Sequence, residues 1–184
     1  MDELVDILDS DGNATGQTAL KSEAHEKGWY HPSVHIWFFT EDKKVLIQQR
    51  SKNKDTFPLL WDVSVAGHIG AGEPVEKAAV REIKEEIGLQ IEENDLQKIG
   101  VFKATHKHSE VLIDKEFHHL FLCRLKVPLR ALKLQKSEVA DLKLLPLLRF
   151  SEETWGLANV SQYVPHGATY YKEIVKAIKK ASSE

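Results

Sequence analysis

The hydrophobic pattern of the chain combines short runs typical of strands with longer segments that have helical spacing. The short runs predict strands at 4–8, 34–40, 44–49, 61–65, 97–104, 116–125 and 139–144. The segments at 74–88 and 168–182 predict helices, and shorter helical stretches are expected near 18–27 and within 146–159. Strands mixed with two principal helices predict an α/β fold.

The segment 74–88 carries the most informative pattern. Pro74 suits the first turn of a helix, where its missing N–H is not needed, and Gly88 suits the end of one. One side of this helix is apolar and is expected to pack on a sheet, with Ala79, Val80, Ile83 and Ile87. The neighbouring face, within an arc of about 100°, holds three carboxylates, with Ala78 leaving room above them: Glu82, Glu85 and Glu86.

Three like charges on one helical face repel one another, and each pair costs a few tenths of a kcal/mol. A bound divalent cation would remove the conflict, and ligands that are all oxygen atoms favour Mg²⁺ or Mn²⁺ over zinc. Arg81 precedes this face and could orient a carboxylate through a bidentate pair. The alternative is a solvated charged face, which is the usual explanation of such a run.

The residues around this helix form a long constrained motif at 67–89 that resembles the Nudix box. Gly67 is followed after five residues by Glu73 and after seven more by Arg81-Glu82-Ile83, and the motif ends with Glu85-Glu86 and Gly88-Leu89. The resemblance implies an α/β/α sandwich around a mixed sheet and Mg²⁺- or Mn²⁺-dependent cleavage of a nucleoside diphosphate derivative or a similar organic diphosphate. It implies metal ligation by Glu82, Glu85, Glu86 and the Gly67 carbonyl. It also implies an orienting role for Arg81 and a structural role for Glu73.

A second resemblance, over roughly residues 1–150, is to the type 1 isopentenyl-diphosphate isomerases, which share the Nudix fold. It is carried by the segment 61–68 and by His25, His31, Arg50-Ser51-Lys52 and Asp114-Lys115-Glu116. The isomerase has a catalytic cysteine directly before the Gly-His of the box, where this chain has Ala66. Isomerisation needs one proton delivered to carbon and another removed, and a methyl group can do neither. The sequence therefore favours a hydrolase of an isomerase-like branch, with the isomerase itself or a non-catalytic nucleotide sensor as alternatives.

Two carboxylates are candidates for the general base of hydrolysis. Glu116 comes first because it matches an active-site glutamate of the isomerase in position. Glu138 comes second because it opens the strand predicted at 139–144. A solvated carboxylate at a strand end is the alternative for both.

Four residues are expected to contact the substrate, namely Arg50, Lys52, His68 and Trp61. The two cations belong to a basic loop that also includes Lys54, and this loop would clamp phosphates or be merely solvated. His68 would touch phosphate or metal, or make a structural hydrogen bond in its loop. Trp61 would stack on a base or prenyl group, or pack in the core as aromatic residues more often do.

The remaining polar and aromatic candidates carry weaker signals. His25 and His31 would form a metal pair as in the isomerase, or else hydrogen-bond to the backbone. Four histidines around one loop and strand are interpreted as surface polarity: His106, His108, His118 and His119. The last two are adjacent in a predicted strand and must face opposite sides. Trp155 and the segment 163–167 would line a pocket or form an ordinary turn.

Composition limits the partners and the compartment. The 184 residues are 42% hydrophobic and 29% charged, which predicts one globular domain over 1–184. Residues 1–30 are expected to form an N-terminal extension of this domain, with a short strand and a short helix. A net charge of −3 gives no basic footprint for nucleic acid.

Cys123 is the only cysteine, which fits a reducing compartment and a buried inert thiol. Since no apolar run reaches membrane-spanning length and the acidic N-terminus is no signal peptide, we expect a cytoplasmic protein. The resemblance implies a small-molecule diphosphate as its ligand. Dimers are common among relatives, so a homodimer stays open.

Overall fold

The computed structural model describes residues 2–155 and 160–183. Two short strands, β1 (Leu4–Leu8) and β2 (Ala14–Leu20), pair with each other ahead of helix α1 (Lys21–Lys27). The main sheet consists of β3 (His31–Phe39), β4 (Lys44–Arg50), β5 (Trp61–Asp62), β6 (Val65–His68), β7 (Gln97–Lys107), β8 (Ile113–Arg124) and β9 (Val139–Pro146). The other helices are α2 (Val75–Ile87), α3 (Leu147–Thr154) and α4 (Ala168–Ala181).

The sheet is mixed and lies between two helical layers. Its path is β5-β4-β3-β8-β7, with β6 paired to β3 and β9 paired to β4. Only the β3–β8 pair is parallel among these pairings. Helix α2 packs on one face through Ile83 and Ile87, and α4 packs on the other face through Ile174 and Ile178. These layers confirm the predicted α/β/α sandwich around a mixed sheet.

The two central strands change character along their length. On the face that packs against α4, β3 presents His31, Ser33 and His35 before it presents Trp37 and Phe39. The neighbouring β8 follows the same course, with Glu116 and His118 before Leu120 and Leu122. Because the strands are parallel with His31 opposite Glu116, the polar ends coincide. One end of this sheet face is therefore polar although it is buried.

The N-terminal region differs from the sequence prediction. The helix expected at 18–27 begins only at Lys21, because Thr18, Ala19 and Leu20 pair with β1. Strand β2 was not predicted, since six of its seven residues are exposed and it therefore lacks an alternating pattern. This strand forms because it pairs with β1, and not because it buries an apolar face.

The strand expected at 61–65 is divided into two. Its first part pairs with β4 and its second part with β3, so the chain crosses between strands at Val63 and Ser64. The helix expected within 146–159 is α3, which ends at Thr154, and residues 156–159 lie outside the described part of the chain. The predicted last helix is confirmed as α4. Within 2–155 and 160–183, none of the helices has the length and apolarity needed to cross a membrane.

Candidate functional site

A cavity of about 590 Å³ opens at the polar end of β3 and β8. Strand β6 contributes Ala66, Gly67 and His68, and α2 contributes Glu82, Glu85 and Glu86 from the neighbouring layer. Strand β6 pairs with β3 so that His68 lies opposite Ser33 and Ala66 opposite His35. The cavity therefore collects the carboxylates of α2 and the polar ends of both central strands.

The three glutamates of α2 differ in burial. Glu82 and Glu86 are buried, whereas the Glu85 side chain is 51% exposed. Burial raises the pKa of Glu82 to about 7 and that of Glu86 to about 8. The Gln48 amide donates a hydrogen bond of 3.0 Å to Glu86 Oε2. Buried carboxylates with raised pKa values suit a site that gains a cation, because a cation offsets the cost of ionising them.

Gly67 and Glu82 are in close contact. A Cβ atom added to Gly67 would lie 2.0 Å from Glu82 Cδ, closer than any real side chain allows. The glycine at the start of the motif therefore leaves room for the carboxylate that follows fifteen positions later in sequence.

Arg81 connects the loop before α2 to its carboxylates. Its guanidinium donates to both oxygens of Glu73 at 3.0 and 2.9 Å, and to the His68 carbonyl at 3.0 Å. It also donates to Glu82 at 2.7 Å and to Glu85 at 3.3 Å. The bidentate contact with Glu73 fixes the guanidinium plane, and the plane in turn fixes Glu82. These contacts are compatible with the orienting role expected for Arg81, which stays a prediction.

A first histidine cluster consists of His25, His31, His68 and Glu116, whose ligand atoms lie within 4.8 Å of one another. Glu116 Oε1 lies 3.6 Å from His31 Nε2 and 3.5 Å from His68 Nε2. The Nε2 atoms of all three histidines are buried and have no hydrogen-bond partner among the described residues. Burial alone would raise the pKa of Glu116, but the imidazoles of His118, His31 and His68 hold it well below its ordinary value. This donor set, three nitrogens and one carboxylate, fits a divalent metal ion.

A second histidine cluster lies beside the first and consists of His35, His118 and His166, with one nitrogen of each ring within 4.8 Å of the others. His118 is buried, so its interpretation as surface polarity is wrong, while His119 faces the opposite side of the sheet as expected. Neither His35 nor His166 was singled out individually in the sequence. The alternation of His31, Ser33 and His35 in a strand was the available signal.

The predicted substrate contacts divide into residues inside and outside the cavity. Arg50 lines it, and its guanidinium donates to Asp62 Oδ2 at 3.0 Å and to Thr56 Oγ1 at 3.0 Å. His68 lines it as well. Lys52 is exposed and does not line the cavity, whereas Lys54 does.

Trp61 is also outside the cavity lining. It packs against the core next to α4, with the Lys143 ammonium 3.8 Å from its ring centroid. Its position fits the core-packing alternative rather than contact with substrate. Trp155 likewise does not line the cavity, whereas Val164 and His166 do.

Both candidates for the general base lie on the cavity wall. Glu116 sits among the histidines described above, with its Oε2 3.1 Å from His118 Nδ1. Glu138 is half-buried and forms an ion pair with Lys54. His106 lines the cavity, and His108 contacts Asp114 at 2.9 Å, so neither is simple surface polarity.

The fold and this arrangement of carboxylates around the loop before α2 are typical of the Nudix class of proteins. The family model for the NUDIX domain matches residues 29–164, and the chain belongs to that family.

Several relatives place it among hydrolases and isomerases of the same fold. An uncharacterised Nudix hydrolase of Clostridium acetobutylicum is 32% identical over 96% of this chain and 97% of its own length. Nudix hydrolase 3 of Arabidopsis thaliana is 38% identical over 79% of this chain, but the match spans only 19% of that longer protein. An isopentenyl-diphosphate Δ-isomerase of Photorhabdus laumondii is 33% identical over 81% of this chain and 80% of its own.

A crystal structure from Deinococcus radiodurans superposes with a TM-score of 0.66 over 97% of this chain and 98% of its own. Its 16% identity makes it similar in fold alone.

Proposed function

We propose that this protein hydrolyses the pyrophosphate bond of a nucleoside diphosphate derivative, or of a similar organic diphosphate, with Mg²⁺ or Mn²⁺. The observation that carries the proposal is the pair of buried carboxylates, Glu82 and Glu86. Glu82 contacts Gly67 and accepts a hydrogen bond from Arg81. Ionising two buried carboxylates is costly, and a divalent cation bound beside them would offset that cost.

Glu82, Glu85, Glu86 and the Gly67 carbonyl would hold the ion. When bound, the ion would neutralise charge on the phosphoryl oxygens and lower the pKa of water. Arg81 fixes Glu82 and reaches Glu85, so it holds two of the ligands at a constant separation. The protein's part in the reaction is largely positioning, as expected for phosphoryl transfer.

Cations on the cavity wall would bind the diphosphate. Arg50 is held in place by Asp62 and Thr56, and its guanidinium borders the cavity. Lys54 and Lys21 also border it, each paired with a carboxylate, Glu138 and Glu3 respectively. A substrate phosphate would compete with these carboxylates for the ammonium groups. We assign the diphosphate clamp to Arg50, Lys54 and Lys21 instead of the exposed Lys52.

The environment of the two candidate bases favours Glu138. Glu116 was the first choice from the sequence, but three imidazoles surround it and hold its pKa low, which weakens it as a proton acceptor. Its position in the first histidine cluster is better suited to a metal ligand than to a general base. Glu138 is half-buried on the cavity wall, where it can reach solvent and a bound water. We therefore assign proton abstraction from the attacking water to Glu138.

The isomerase is the second candidate function, because the first histidine cluster contains His25, His31 and Glu116, three of the residues that carry the isomerase resemblance. Against it stands Ala66, which lines the cavity opposite His35 and offers only a methyl group. A sensor role without catalysis is disfavoured because the chain retains Glu82, Glu85 and Glu86.

The test is a screen of the full chain with Mg²⁺ against nucleoside diphosphate derivatives and prenyl diphosphates, with products identified by mass spectrometry. Proton NMR with isopentenyl diphosphate would detect isomerisation in the same samples. We expect Mg²⁺-dependent cleavage that Glu86→Gln abolishes and that Glu76→Gln, on the same helix outside the cavity, leaves intact. Isomerisation without cleavage, or tight nucleotide binding without any turnover, would contradict the proposal.

A further inference from the structure

The second histidine cluster is built from three separate parts of the chain. His35 comes from β3, His118 from β8, and His166 from the loop that precedes α4. All three border the cavity. The rings of His35 and His118 stack at a centroid distance of 4.0 Å, and His166 meets both edge-on at 5.2 and 6.0 Å.

Two of these rings present buried nitrogens that nothing in the described residues satisfies. His118 Nε2 and His166 Nδ1 are both inaccessible to solvent and have no hydrogen-bond partner there. The side chains themselves are 7% exposed in each case. A buried polar atom without a partner costs about 1–3 kcal/mol, so two adjacent ones in one cavity call for a ligand.

The opposite nitrogen of each ring is held by an oxygen atom. His166 Nε2 lies 2.7 Å from Asp62 Oδ1, and His35 Nδ1 lies 2.7 Å from the Tyr170 hydroxyl. His118 Nδ1 lies 2.8 Å from Ser33 Oγ and 3.1 Å from Glu116 Oε2. Histidines that bind metal are typically fixed in this way, with an oxygen on the far nitrogen that sets the ring orientation and the tautomer.

We propose that His35, His118 and His166 form a metal site for Zn²⁺ or a similar divalent ion that prefers nitrogen ligands. The site is distinct from the carboxylates of α2, whose oxygen ligands suit Mg²⁺. It is also distinct from the first histidine cluster, whose members lie four residues earlier on β3 (His31) and two residues earlier on β8 (Glu116). The inference does not depend on the proposed hydrolysis.

The geometry requires a small adjustment to accept the ion. Nitrogens bound to tetrahedral zinc at about 2.1 Å lie about 3.4 Å apart, so nitrogens within 4.8 Å of one another must close by at most about 1.4 Å. The stacked rings of His35 and His118 would tilt towards each other to do so. With three protein ligands, the fourth position of the ion would face the cavity, the arrangement of zinc sites that bind water or substrate.

The test is a titration of the chelator-treated full chain with Co²⁺, followed by its visible absorption. With excess Mg²⁺ present to occupy the carboxylates of α2, we expect two Co²⁺ equivalents with the absorption of nitrogen-bound Co²⁺, one at each histidine cluster. His166→Gln should weaken one of them by roughly 100-fold or more, and Asp62→Asn by about 10–100-fold through loss of ring orientation. His31→Gln should remove the other equivalent and leave the one that depends on His166.

His119→Gln is the matched control, because His119 neighbours His118 on β8 but faces the other side of the sheet. It should bind Co²⁺ like the unmutated chain. Equal Co²⁺ affinity, stoichiometry and spectra for His166→Gln and His119→Gln would overturn the proposal.

A measurement on the unmutated chain covers the case in which a variant fails to fold. Crystals soaked in Zn²⁺ would be measured with anomalous scattering at the zinc edge. A peak between the three imidazoles supports the site. No peak there, whether or not the first histidine cluster is occupied, overturns it.

Discussion

The Glu82 carboxylate fills the space that a side chain on Gly67 would need, since a Cβ on Gly67 would fall 2.0 Å from the carboxylate carbon of Glu82. The two residues belong to different elements, β6 and α2, and this contact brings the Gly67 backbone next to a buried carboxylate. The glycine is therefore required by the site and not by its backbone conformation, because its φ lies outside the left-handed region.

The first prediction concerns this contact. Gly67→Ala should push Glu82 away from its position and from its 2.7 Å hydrogen bond with Arg81. A displacement of about 1 Å can cost about 100-fold in rate, so we expect a loss of that size in kcat/KM with Mg²⁺. The measurement is steady-state turnover of the best substrate from the screen. Glu76→Gln, on the same helix as Glu82 but outside the cavity, is the control and should leave turnover intact.

The second prediction concerns the guanidinium of Arg81. Arg81→Lys keeps the charge but cannot reach Glu73, Glu82 and the His68 carbonyl together. We expect a weaker apparent Mg²⁺ affinity and a loss of about 1–2 kcal/mol in the free energy of unfolding. Activity as a function of Mg²⁺ concentration and denaturant unfolding would measure the two effects. Lys84→Arg, on an exposed position of the same helix, should change neither.

The third prediction is the pH dependence of stability in metal-free protein. Burial raises the pKa of Glu86 to about 8, above the ordinary value of 4.5, so the folded state binds more protons than the unfolded state between these values. This contribution to the free energy of unfolding should therefore fall as pH rises from about 5 to 8. It should dominate above about pH 7, where the histidines with lowered pKa values, His25, His35, His106 and His119, are largely neutral in both states. Glu82, with a pKa of about 7, adds to this slope.

Denaturant unfolding at several pH values in the presence of a chelator would measure this dependence. Glu86→Gln should flatten it, whereas Glu85→Gln, at a largely exposed position, should leave it unchanged. Calorimetry in buffers of different ionisation enthalpy should also show protons released when Mg²⁺ binds near pH 7. A slope of the opposite sign would rule out buried, protonated carboxylates.

The fourth prediction separates the two candidates for the general base. Glu138→Gln should lower kcat by about 100- to 10,000-fold, because a general base contributes in that range, and should leave Co²⁺ binding unchanged. Glu116→Gln should instead weaken ion binding at the first histidine cluster, where Glu116 faces His31 and His68. If Glu116→Gln lost only kcat and kept its metal affinity, the assignment would have to be reversed.

The sequence predicted those features that depend on local spacing. The three carboxylates of α2, the apolar face of that helix and its end at Gly88 follow from residues within one turn of each other, and the structure has them. The helix layers and most strands could be predicted for the same reason. Strand β2 could not, because its exposed residues pair with β1 without an apolar pattern.

The second histidine cluster could not be predicted because its members are far apart in sequence. His35 hydrogen-bonds to Tyr170 and His166 to Asp62, and only the position of the loop before α4 brings His166 to β3. His118 was interpreted as surface polarity because nothing in its neighbours reveals that β8 is a central strand beside β3. Long-range pairing, rather than local pattern, decides which side chains share a cavity.

The change from polar to apolar side chains along β3 has a consequence for how such an enzyme can diverge. The residues Val34, Ile36 and Phe38 anchor the strand against α2. His31, Ser33 and His35 point the other way, and Ser33 and His35 line the cavity. Replacing one of these polar residues would alter the site without disturbing the residues that pack against α2. Substitutions on this face of β3 can therefore change the chemistry of the site while the fold is kept.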